Sequence, residues 1–149
     1  MIHMNQQEDI LIYPRKNISK EFQEILSKNE ADIVFDVESF LSFDNKVIKD
    51  NEKNPVLAIL GFIHKGTFYD YTIGNYSITD EKKMVVDFCN HLWKINKQSK
   101  NTINIYHWGH AEHNYFNYIH KRYPTLSFPE YKLIDVLDYF RMEPIIVQG

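Results

Sequence analysis

The sequence predicts an α/β fold, a mixed β-sheet flanked by helices, and three observations carry that expectation. Short runs of β-branched and aromatic residues alternate with longer stretches of helical periodicity. Two of the runs, 56–64 and 67–73, flank Lys65-Gly66, a two-residue hairpin signal. A chain of 149 residues with 44% hydrophobic and 15% aromatic content is one domain's worth and can bury a proper core.

The elements follow in order. Residues 1–17 read as an N-terminal arm around Ile10-Leu11-Ile12-Tyr13-Pro14, with room for one short strand. A single domain is expected over 18–149. Its first helix, 19–28, has Ser19 as N-cap and Phe22, Ile25 and Leu26 at helical spacing. Residues 31–38 form the first central strand, and 42–55, rich in Asn, Asp and Lys, a loop. After the hairpin, Thr79-Asp80-Glu81 opens a long helix, with acids in the first turn favourable to the helix dipole. It should run to about residue 97 and bury Met84, Val85, Phe88, Leu92 and Trp93. A strand over 102–107 and a helix over 110–123, stopped by Pro124, come next. A short strand at 131–134 and a short helix at 135–141, stopped by Pro144, complete the pattern. No repeat, low-complexity tract or interdomain linker interrupts it.

Charge and cysteine usage narrow the function. A formal net charge of −3 gives no general basic field and counts against a passive nucleic-acid binder. It counts less against a metal-dependent nuclease, because bound cations invert the local sign. The one cysteine, Cys89, makes no internal disulfide, and an intracellular reducing compartment, the cytoplasm for instance, is the natural reading. No apolar run reaches membrane-spanning length, and residues 1–13 are too polar for a secretory signal.

The most informative stretch is Ile33-Val34-Phe35-Asp36-Val37-Glu38-Ser39. Two carboxylates at i and i+2 on a strand point the same way. Placed side by side at the end of a buried strand they repel each other and lose hydration, unless a cation sits between them. Oxygen-only ligands suit Mg²⁺ or Mn²⁺ rather than zinc. The bland alternative is a strand end at which both acids are simply hydrated.

Phe-Asp-Val-Glu-Ser resembles the first motif of the DEDD exonucleases, within the RNase H-like superfamily. Ile103-Asn104-Ile105-Tyr106-His107-Trp108-Gly109-His110-Ala111-Glu112 is similar to the second signature of the YprB-like branch, in which a strand runs through Tyr-His-Trp and small residues to a Glu on the following helix. Leu133-Ile134-Asp135-Val136-Leu137 resembles a third segment, Leu-x-Asp-Leu. The resemblance covers most of the chain from Asp32 onward. It implies an RNase H-like mixed sheet and a two-metal nuclease of 3′-5′ exonuclease type, acting on a single-stranded end of DNA or RNA. Asp36 would bridge two Mg²⁺ or Mn²⁺ ions, Glu38 would hold one, and Glu112 would complete the ligands of this part. It also implies a helicase or nuclease partner domain. The family's fourth carboxylate and its His or Tyr general base come from a later helix. The sequence ends at Gly149, about where that motif would begin. The expectation is therefore a C-terminally truncated domain: a fragment, a split gene, or a fold kept without full activity.

Other residues have two readings each. Glu112 taken alone is a first-turn acid serving the helix dipole. His107, His110 and His113 would suit a zinc module, but a strand histidine followed by two helical ones is not a known zinc spacing. The expected outcome is a packed His107 and two solvated partners. His107 and Trp108 are also candidates for stacking on a terminal base. Asp135 is either an acid supporting the metal ligands or the cap of the next helix. Tyr106, Tyr115, Phe116 and Tyr118 are expected to pack as core. The rival classes are a non-catalytic remnant that binds nucleic acid or a partner protein, and a zinc-binding module.

Overall fold

The computed structural model describes residues 11–13, 20, 23, 29–40, 56–75, 77–142 and 146–148. Two compact units divide the chain, Asn29–Val136 on one hand and Met1–Lys28 with Leu137–Gly149 on the other. The boundary expected at residues 17/18 falls inside the second of these. The helix expected over 19–28 lies largely outside the described residues; Lys20 and Gln23 are helical. The loop expected over 42–55 lies entirely outside them.

In the Met1–Lys28 and Leu137–Gly149 unit, β1 (Leu11–Tyr13) pairs antiparallel with a C-terminal strand (Ile146–Gln148). The sequence reading allowed the first strand and missed the second. Three residues after a proline carry too short a pattern to register alone.

The Asn29–Val136 unit holds a five-stranded mixed sheet, an α/β fold compatible with an RNase H-like arrangement. Its strands are β2 (Ile33–Phe40), β3 (Val56–His64), β4 (Thr67–Thr72), β5 (Ile103–His107) and β6 (Tyr131–Asp135), in the order β4-β3-β2-β5-β6. β3 runs antiparallel to both β2 and β4, whereas β2, β5 and β6 are mutually parallel. The tight β3–β4 turn needs two positive φ angles, and Lys65 (50°) and Gly66 (78°) supply them. Between β2 and β3 the register slips by one residue: Glu38 faces Ile59 but Ser39 faces Leu57, so Ala58 is the extra residue.

Helix α1 (Ile78–Ser99) begins one residue before the expected start. Its N-cap is Ser77, whose side chain accepts from the Asp80 backbone N–H at 3.0 Å. Helix α2 (His110–Arg122) crosses from β5 to β6, and α3 (Val136–Met142) follows β6. Both α1 and α2 pack on the same face of the sheet. Phe88 of α1 lies 5.4 Å from Phe35 and 5.7 Å from Phe62, and Phe116 of α2 lies 5.3 Å from Phe35, ring centre to ring centre. Ile33, Leu60, Ile103 and Ile105 complete this core with Val85, Leu92 and Ile119. Trp93, expected in the core, is half-buried and donates from Nε1 to Ser127 O at 2.8 Å. Cys89 is buried in its place, its thiol pushed up to about 11 by burial.

Glu81, read from sequence as a dipole acid, is fully buried. Its Oε1 accepts from the Leu57 backbone N–H at 2.8 Å, beside the register slip. Arg122, at the end of α2, donates to both carboxylate oxygens at 2.6 and 2.7 Å, and the Tyr123 hydroxyl donates to Oε2. Burial, then that hydrogen bond, pushes the Tyr123 phenol far above its usual range. One carboxylate therefore joins α1, β3 and the end of α2.

An ionised carboxylate this deep is tolerable only while its cation stays with it. Arg122→Leu should cost about 3–5 kcal/mol, because it leaves a buried charge uncompensated. Urea denaturation of the variant checks this; a loss under about 1 kcal/mol would mean that Leu57 and Tyr123 alone satisfy Glu81.

Candidate functional site

Strand β2 buries only one of its faces. Ile33, Phe35 and Val37 point into the core, while Val34, Asp36 and Glu38 are exposed. The expectation of two acids losing hydration at the end of a buried strand is corrected here; both side chains reach water, as in the alternative reading. The apolar run looked continuous because Val34 is apolar, yet Val34 is 56% exposed. Both described long helices lie on the opposite face. Asp36 and Glu38 do share one face, as their spacing requires.

The parallel strands β2, β5 and β6 end on the same side of the sheet, the side where open α/β sheets place their ligand sites. His107 closes β5 and pairs in register with Asp135, which closes β6. Gly109, at the N-cap of α2, has φ 91°, a left-handed conformation that favours glycine. Its backbone N–H donates to Asp135 Oδ1 at 2.8 Å, and its carbonyl accepts from His107 Nδ1 at 2.8 Å. A carbonyl only accepts, so Nδ1 carries the proton. The two strand-end residues thus hold one turn from both sides and aim the first turn of α2.

Glu112 stands in that first turn. It is 6% exposed, and its Oε2 is buried with no hydrogen-bond partner among the described residues. Oε2 lies 3.7 Å from His107 Nδ1, close enough for attraction but not for a hydrogen bond. Burial raises the Glu112 carboxyl above its ordinary value; the α2 backbone and His107 oppose the rise, and the charges of Asp36 and Asp135 add to it. Asp36 and Asp135, from two other elements, are thus each close enough to repel Glu112.

His107 is buried, and His110 and His113 are exposed, so the three histidines do not converge. His110 Nδ1 instead lies 3.8 Å from Asp135 Oδ2. Trp108 is 57% exposed, just past the end of β5. Of the expected aromatic cluster, Phe116 is core, whereas Tyr106, Tyr115 and Tyr118 are half-buried. The Tyr115 hydroxyl reaches Ser39 Oγ at 2.5 Å and ties α2 to the end of β2.

A buried carboxylate oxygen without a partner among the described residues is a candidate ligand for a hard cation. The ligand atoms that lie within 4.8 Å of one another among the described residues include those of His110 and Asp135 and none from Asp36, Glu38 or Glu112. The carboxylates of Asp36, Glu38, Glu112 and Asp135 offer oxygens, which hard cations prefer, while His110 beside Asp135 offers a nitrogen. No protein-family model and no curated protein matches this chain. Among the described residues no helix is long and apolar enough to cross a membrane.

The sign of the Glu112 effect is testable. A carboxyl whose folded value is raised favours the folded state below its ordinary value of 4.5, and that contribution is lost as pH rises through the raised value. In the absence of divalent ions, Glu112→Gln should therefore be more stable than the wild type at pH 7, and the difference should close near pH 4. Added Mn²⁺ should raise the melting temperature of the wild type and not of the variant. Equal melting temperatures at both pH values would remove the like-charge strain from this site.

Proposed function

We propose that this chain is a Mg²⁺- or Mn²⁺-dependent nuclease domain of RNase H-like type that hydrolyses phosphodiester bonds in DNA or RNA. The observation that carries the reading is Glu112 Oε2, buried with no hydrogen-bond partner among the described residues, in a carboxyl that burial raises and the charges of Asp36 and Asp135 raise further. The motif resemblance supports the same residues and adds the 3′-5′ exonuclease type.

Asp36, Glu38 and Glu112 are the metal ligands in this reading. A divalent cation held there supplies activation of a water and stabilisation of the leaving oxygen. Asp135, at the end of β6, adds a further carboxylate beside them; the fourth one that the resemblance implies belongs to a later helix. His107 keeps the Gly109 turn in place and so sets the approach of Glu112. With Gly109 N–H on Asp135 Oδ1, the same turn fixes the spacing between the two acids. The open face beside Asp36 and Glu38 leaves a strand end free access to them. The single Cys89, with its thiol held protonated by burial, fits a reducing compartment.

End-labelled single-stranded DNA and RNA, incubated with the chain in Mn²⁺, test the reading. Slow, metal-dependent shortening from one end is expected. Asp36→Asn and Glu112→Gln should each lower the rate about 100-fold or more, since each removes a ligand of the charge-stabilising centre. No cleavage in any divalent ion, with Mn²⁺ affinity unchanged in Asp36→Asn, would turn the reading into that of a non-catalytic remnant.

A further inference from the structure

The sheet face that carries the acids also carries an aromatic surface. Register places Val34 opposite Ile63, Asp36 opposite Gly61 and Glu38 opposite Ile59; on the next strand, Phe68 faces Ile63 and Asp70 faces Gly61. Phe68 is 64% exposed, Ile63 44% and Ile59 40%. Phe68 does not stand over its own partner alone. A Cβ built on Gly61 would meet Phe68 Cε2 at 3.3 Å and Cζ at 3.4 Å, so the ring leans diagonally across Gly61 toward Asp36. Gly61 has no positive φ among the described residues that do, so space rather than backbone conformation calls for a glycine there.

We infer that Phe68 is the stacking platform for the terminal base of the single-stranded substrate whose backbone faces Asp36 and Glu38. This inference rests on the nuclease reading and adds where the base goes. One side of the ring leans on the strand and the other faces solvent, the arrangement single-strand binders use to stack bases without sequence preference. The direct opposition of Asp36 and Gly61 brings the ring within one nucleotide of the acid pair. The acids Asp36, Glu38 and Asp70 make this face repel a phosphate backbone by itself, so engagement of the base should require the divalent cation. Because a π-face is common to all four bases, the platform selects an unpaired end rather than a sequence.

Two single-stranded oligonucleotides test this, both protected from cleavage by terminal phosphorothioate linkages. One ends in ordinary nucleotides and the other in three abasic residues. In Mn²⁺ the wild type should bind the ordinary end about tenfold or more tightly than the abasic end. Phe68→Leu should reduce that preference to under about twofold and leave the abasic affinity unchanged, and Phe68→Tyr should keep it. Asp36→Asn should weaken both ligands alike. Equal binding of the two ends by wild type, with binding still lost in Asp36→Asn, would overturn the platform and leave the nuclease reading standing. A lower melting temperature in Phe68→Leu with the preference intact would show that the ring only shields Gly61. Absence of any metal-dependent binding by wild type would overturn both.

Discussion

Glu81 holds the sheet and its two long helices in a single arrangement. Its carboxylate, shut off from solvent, meets the Leu57 N–H, the Arg122 guanidinium and the Tyr123 hydroxyl. Hydrophobic packing among Phe35, Phe62, Phe88 and Phe116 would tolerate small slides of one helix past another. A buried ionic cluster does not, because any slide strands a charge. With α1 and the end of α2 fixed this way, the start of α2, one helix length away, is fixed as well. The Gly109 turn and Glu112 inherit that placement.

The same geometry sorts the acids of the molecule by what they lack. Glu81 has every partner it can use. Glu112, equally early in its helix, has an oxygen with none among the described residues and two like charges nearby. Asp80 is spent on the Asn75 backbone N–H at 2.8 Å. Three acids in first helical turns thus have three surroundings, one knitting the fold, one closing a loop and one with an oxygen left unpartnered among the described residues.

Much of the sheet was legible in the sequence because strand alternation and hairpin chemistry are local. The 56–64 strand and the Lys65-Gly66 turn came out as read, and α2 is shorter by a single residue. The pairing of Asp36 with Glu38 on one face was legible for the same reason. Their exposure was not, because it depends on which side of the sheet the helices choose. Nor was the burial of Glu81, which reads as an ordinary dipole acid until Arg122, 41 residues later, folds onto it. Phe68 escaped notice too, since an aromatic in a strand looks like core until its register against Gly61 is known. A glycine inside an otherwise apolar strand was the one available signal.

The register slip at Ala58 also bears on how this sheet can change over generations. Displacing β2 by one residue would turn Asp36 and Glu38 inward among Phe88 and Phe116 and bring Phe35 out to water. The two acids therefore act as a lock against misregistration, whatever they bind. An insertion or deletion between Ile33 and Glu38 would be penalised on this ground alone, and the acid pair would persist as a guardian of alignment in any lineage that keeps the sheet.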